Sequence, residues 1–436
     1  MHKTRLANLL NDRHPMVRLA REIDWHGFDE YFGTYYSGGK GRPTTSTRLM
    51  VSLHYLKYTH DLSDEAVVMG WVENPYWQYL SGMEFFCHEP PIDPSSMSRW
   101  RRRVGEAGSE ELLRQTIETG LKLKVIKPSE LRRVNVDTTV QEKHIRHPTD
   151  PRLYDRMRER LVAAARREGV VLRQSYVRVG KRLLAQQSRY AHARQWRRAR
   201  GCTRKLRTLL GRVIRDIERK DERPSADTEN LLTLAKGLYR QKRRDKGKLY
   251  SVHAPEVECV SKGKAHNKRY EFGSKVALAV TSQGGWVLAA RSLEGNPYDG
   301  HTLQSTMDRI VATSGTEPEH VYCDMGYQGH DYEGECEVHV GRRRRGSIAK
   351  RSLWRWMRRR AAIEPSIGHL KEDRRMERCR LKGAAGDKVN AVLSAAAMNF
   401  SKLLAALGGL LSFLLARLVV RFALRSPRRI LAAAAG

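Results

Sequence analysis

The sequence predicts an α/β protein, a mixed sheet flanked by helices, with a helical N-terminal domain over 1–125 and a long basic helical insertion over 150–248 after the first strand. Three observations predict it. In 133–140, Val134, Val136, Thr138 and Val140 alternate with polar residues, the period of a half-buried strand. The apolar runs 270–280 and 286–292 flank Ser282-Gln283-Gly284-Gly285, the composition of a β-hairpin. Between them, 151–250 holds 30 Lys and Arg against 10 Asp and Glu on a helical apolar pattern.

Taken in order, turn signals at 37–43, 74–75 and 89–94 divide the first 125 residues into helices. Leu49, Leu53 and Leu56 recur at helical spacing, and with 63–72 they form either a helix-turn-helix-like unit or a cap that never meets nucleic acid. Asp93 before Pro94 reads as an N-cap with proline at the first helical position. The helix it opens carries Arg99, Arg101, Arg102 and Arg103. In the insertion, Leu206, Leu210, Val213, Ile214 and Ile217 make a stripe with arginines interleaved, and Leu231, Leu234 and Leu238 repeat it after Pro224. Two or three antiparallel helices with basic faces turned to solvent or phosphate satisfy both patterns.

After the hairpin come a helix over 301–312, strands over 320–324 and 336–340, and a helix containing Glu364. This second part, 126–400, is the expected catalytic domain; 401–436 is expected as a C-terminal helix and tail. The uncharged run 403–416 has only 14 residues, short for a membrane span, and reads as a buried or dimerising helix with no stable membrane association.

A formal charge of +33 asks for a polyanionic partner and argues against a partner-free metabolic enzyme. The six cysteines form no CxxC pair, so a zinc ribbon is not expected and reduced thiols in a cytoplasmic setting are. His144 and His147 lack a completing ligand pair and read as structural. The N-terminus has no secretory leader pattern. Gly38 to Gly41 reads GGKG, without the spacing or hydroxyl of a phosphate-binding loop.

Two aspartates punctuate apolar strands, Asp137 in VNVDTT and Asp324 in VYCDMGYQG; Glu364 follows on a helix. A carboxylate in such a position costs desolvation energy unless a cation compensates it. Arg360, Glu364 and Lys371 share one face of an uninterrupted helix, but Pro365 requires either a kink or a fresh helix start. Convergent carboxylates suit Mg2+ or Mn2+, and a two-ion site suits phosphodiester chemistry. Structural aspartates at strand ends are the alternative reading.

Several long stretches together resemble an IS5-type transposase of the DDE group. They are VNVDTTVQEKHIRHPTD, GKAHNKRYEFGSKVALAV, LEGNPYDGHTL, VYCDMGYQG, IEPSIGHLKEDRRMERCRLKGAAGDKVNAVLSAAAMNF and, near the start, GRPTTSTRLMVSLHYLKYTHDLSDEAVVMGWVENPYWQYLSG. The resemblance implies a ribonuclease H-like catalytic fold with Asp137, Asp324 and Glu364 as catalytic residues and ligands of two Mg2+ or Mn2+ ions. It implies metal-dependent cleavage at the ends of an insertion element, followed by transfer of the 3′-OH into target DNA. In that scheme Asp137 bridges the ions, while Asp324 and Glu364 each complete one. Arg360, Glu364 and Lys371 match the family's spacing around the glutamate, whereas the family's tyrosine position is Met357.

Expected DNA contacts are Arg360, Lys371, Arg99, Arg102, Arg375 and Arg378, and the aromatic-basic run 351–360 reads as either a DNA surface or packing. Asp299 and His301 in NPYDGHTL match a family motif at the edge of the site and are not expected as direct ligands. The expected partners are double-stranded DNA, both terminal inverted repeats and target, and a second copy of the chain; the expected location is the cytoplasmic nucleoid. Two other readings stay open: a DNA-binding relative without cleavage activity, and a structure-specific nuclease of the same fold.

Overall fold

The structure is a computed structural model that describes residues 4–36, 45–261, 270–341 and 351–408. The turn expected at 37–43 and the part of the apolar run beyond 408 lie outside the described residues. The chain forms two compact units, one of 1–142 with 275–436 and one of 143–274. The N-terminal helices therefore share a unit with the strands that carry the carboxylates, and the inserted unit is longer than the basic zone.

Six strands are present among the described residues: β1 Arg133–Glu142, β2 Glu258–Ser261, β3 Tyr270–Thr281, β4 Val287–Leu293, β5 His320–Cys323 and β6 Glu337–Val340. In the first unit the order is β4, β3, β1, β5, β6. The β3–β4 hairpin is antiparallel, while β1 with β5 and β5 with β6 are parallel, in the register Arg133↔His320 and His320↔Glu337.

Val134, Val136 and Val140 are buried as the alternation predicts. The opposite face is covered too. Asn135 and Gln141 are fully buried, and each is hydrogen-bonded: Asn135 Oδ1 accepts from Ser282 Oγ (2.7 Å), and Gln141 Nε2 donates to the Asp387 carbonyl (3.0 Å). Polar side chains on this strand are thus internal connectors rather than a wet face.

The centre of the first unit is the helix Gly383–Gly408, packed against the helices Ser95–Lys122 and Thr47–Thr59 and against β4. By length and composition alone it could cross a membrane, yet most of its apolar stretch is buried inside the unit. Tyr55 stacks on Phe400 with ring centres 4.6 Å apart. Asn399 exchanges two hydrogen bonds with the Val287 backbone, satisfying the free edge of β4. Thr47–Thr59 is buried nearly all round, so Leu49, Leu53 and Leu56 serve the core and the helix presents no open face to DNA.

Among its described residues the second unit holds four helices rather than two or three: Asp150–Arg167, Val177–His192, Trp196–Lys220 and Ala226–Arg240. Leu206, Leu210, Val213, Ile214 and Ile217 meet Leu231 and Leu238 in one core. Arg204, Arg212, Arg215 and Arg219 are exposed, as the pattern predicts. Arg207 is not free, because its Nε donates to the Tyr239 carbonyl (2.7 Å) and its guanidinium covers that ring. β2 pairs with the first residues of β3; at four residues it was too short to leave a periodic signal.

Candidate active site

Asp137 sits mid-way along β1, facing away from the valines. Its side chain is 18% exposed, and Arg360 Nη1 lies 3.7 Å from Oδ2. The Thr138 N–H donates to Oδ1 (2.7 Å). Burial and repulsion from Asp324 outweigh that bond and Arg360, with Asp299 adding to them, and the carboxyl is pushed up to about 6.

Asp324 directly follows β5 and caps the single turn Met325–Tyr327, its Oδ1 accepting from the Gly326 N–H (2.8 Å). Gly326 is where two carboxylates approach each other: a Cβ there would lie 2.8 Å from Asp299 Oδ2 and 2.9 Å from Asp324 Oδ1. Asp299 begins the short turn Asp299–Thr302 after the hairpin. Its Oδ1 accepts from Thr138 Oγ (2.9 Å) and from Lys275 Nζ (2.8 Å), which also reaches the Pro297 carbonyl (2.7 Å). The structure thus gathers Asp137, Asp324 and Asp299. A groove of about 770 Å³ begins at Met325, next in sequence to Asp324, and is lined also by Gln328, His330, Val338 and Val340.

Glu364 is exposed in the first turn of the helix Ile363–Asp373, which packs on β1 through the buried Ile363 side. The leading charged neighbours of Asp137 are Asp324, Arg360 and Asp299; Glu364 is not one of them. Pro365 stands in the first turn, where no intrahelical N–H is required, and the restart takes the form of a tight turn at Arg360–Ala362 after the helix Arg351–Arg359. Arg360 and Glu364 therefore do not lie on one uninterrupted helix. The Asn135 side chain donates to the Arg359 carbonyl (3.2 Å), pinning the junction to β1.

Of the expected DNA contacts, Arg99, Arg102 and Arg378 are exposed and Lys371 is half-buried. Arg360 is turned toward Asp137. Arg375 is a correction: its side chain is 11% exposed and ion-paired with Asp61 at 3.1 Å, so it braces the unit internally. Arg101 is also consumed, in a bidentate pair with Asp64. The run 351–360 divides. Trp354 is exposed beneath Arg358, whereas Trp356 stacks near Tyr322 with Arg133 over its ring. His147 packs edge-on against Phe272, a structural role.

Residues 4–103 match the family described as Transposase domain (DUF772), and residues 244–400 match Transposase DDE domain. The chain is also 54% identical over 196 residues to "Uncharacterized protein ORF8 in nfe locus" of Rhizobium meliloti, covering 45% of this chain and 94% of that protein. The chain belongs to the transposases of the DDE type. No solved structure matches it. The second family match contains Asp299, Asp324, Arg360 and Glu364 but leaves out Asp137, which lies on the far side of the insertion in sequence. In the folded transposase, β1 and β5 pair directly and return Asp137 to Asp324.

Proposed function

We propose that the protein is an IS5-type transposase that cleaves DNA at the ends of an insertion element and joins the freed 3′-OH to target DNA. The observation that carries this reading is Asp137 held against Asp324, with its carboxyl pushed up to about 6 by burial and that neighbour. The strand order, with an antiparallel β3–β4 hairpin and parallel β1, β5 and β6, supports a ribonuclease H-like sheet.

The residues fit a hard divalent cation: the donors are carboxylate oxygens, and their mutual repulsion is only partly relieved by Arg360. Asp137 and Asp324 would hold Mg2+ or Mn2+, two ions in all, with Glu364 completing the set. Bound there, the metal supplies an activated water and stabilises the leaving 3′ oxygen. Asp299 is assigned a positioning role, with its Oδ1 taken up by Thr138 and Lys275. Through Thr138 it fixes the segment of β1 that carries Asp137. Arg360 steadies Asp137 and a neighbouring phosphate, while Arg99, Arg102, Lys371 and Arg378 contact the DNA backbone. A pair of copies on the nucleoid, each holding one element end, completes the assembly.

The test is a 3′-end cleavage assay with the flanking element ends, Mg2+, and Asp137→Ala, Asp324→Ala and Glu364→Ala. Each variant is expected to lose cleavage while still binding ends; a fully active Glu364→Ala would overturn that residue's assignment. Cleavage of branched DNA without terminal repeats would favour a structure-specific nuclease, and end binding without wild-type cleavage an inactive relative.

A further inference from the structure

The other end of β5 from Asp324 carries a different cluster. The register pairs His320 with Glu337 and Tyr322 with His339, putting His320, Glu337 and His339 on one face of two parallel strands. His339 Nε2 lies 3.2 Å from His320 Nδ1. The Glu337 carboxylate lies 3.2 Å from His320 Nδ1 and 3.7 Å from His339 Nδ1. One donor atom from each of the three falls within 4.8 Å of the others.

A purely hydrogen-bonded trio leaves a difficulty at His320 Nδ1. A ring nitrogen holds either one proton or one lone pair, and here an imidazole nitrogen and a carboxylate oxygen both approach the same atom. A cation resolves it by taking lone pairs from all three. The two 3.2 Å separations at His320 Nδ1 agree, since ligand atoms about 2.0–2.1 Å from a tetrahedral ion stand about 3.3 Å apart. Tyr322 stacks on His339 at 4.9 Å and fixes its ring. Two imidazoles and one carboxylate select a zinc-class ion over Mg2+, with the fourth position left to water.

We propose that His320, Glu337 and His339 bind one zinc-class transition-metal ion, which clamps β6 to β5 and is separate from the carboxylate cluster at Asp137. The proposal does not depend on the catalytic reading. The test is calorimetric titration of the full chain, stripped with chelator and held in excess Mg2+, with Zn2+ alone. One ion per chain is expected, with a rise in Tm on binding. His320→Gln, His339→Gln and Glu337→Gln are each expected to weaken binding at least about tenfold. Glu337 is 65% exposed, so its replacement leaves the fold intact, which Tm in chelator verifies. Asp137→Ala and His144→Gln are expected to bind Zn2+ like wild type. Absence of zinc uptake by wild type, or wild-type affinity in Glu337→Gln, would overturn the site.

Discussion

Asp64 and Asp137 are aspartates of nearly equal burial, with side chains 17% and 18% exposed, and the protein treats them in opposite ways. Asp64 opens the helix Asp64–Glu73 and is met by Lys57 Nζ at 2.6 Å and by both Arg101 amino groups at 2.9 and 2.6 Å. Burial opposes its charge, but those cations win and hold the carboxyl well below the usual range. Asp137 has Asp324 and Asp299 for neighbours and a single looser arginine, and its carboxyl rises. The contrast separates burial from function. A chain able to neutralise one buried aspartate twice over leaves another in repulsion, where a divalent ion has use for it.

The contrast is broken most severely by removing the repelled group. Asp137→Ala is expected to reduce end cleavage by roughly three orders of magnitude, about 4 kcal/mol of barrier, in a Mg2+ assay. Asp64→Ala strikes the compensated site and leaves Lys57 and Arg101 buried without their anion. Urea unfolding is expected to show a loss of about 3–5 kcal/mol.

Asp137→Asn should do the reverse to stability. The folded carboxyl keeps its proton up to about 6, whereas the unfolded one titrates near its ordinary value. Metal-free wild type is therefore favoured below the unfolded value and loses that advantage as pH rises through 6. In chelator at pH 7.5 the asparagine is expected to stabilise the protein by on the order of 2 kcal/mol and to flatten its pH profile. Equal pH profiles for the two proteins would remove the repulsion from the account. Asp299→Asn, which weakens the hold on Thr138 without deleting a ligand, is expected to slow cleavage about tenfold with end binding unchanged. Smallest is Arg378→Ala: a change of about one in the log–log salt slope of DNA binding, whereas Arg375→Ala should cost stability instead.

The hairpin strands and β1 were legible because each spans enough residues to show its period, whereas the four-residue strand before Asp324 was legible only as a short apolar run closed by an aspartate and glycines. Asp137 and Asp324 stood out as charges in apolar strands, and pairing in register unites them. Asp299 was visible only as part of a motif. What makes it a partner of Thr138 is contact across 161 positions of sequence, to which no local pattern is sensitive. The arginines show the same limit: composition reports Arg99 and Arg375 alike as basic, and only the fold sets one in solvent and the other on Asp61. For the helix Gly383–Gly408 composition alone does not separate burial from a membrane, since the interior of a large unit and the interior of a bilayer ask for similar residues.

Gly326 has no left-handed backbone angle to explain it; a Cβ there would force the Asp299 or Asp324 carboxylate, or both, to shift. The site is therefore sensitive at a residue that contributes no reactive group. A genomic copy with alanine at this position would preserve every acidic residue on an alignment and is still expected to cleave more slowly, because two of those residues would be displaced. Surveys that judge whether such copies are alive by their acidic residues alone would count it among the living.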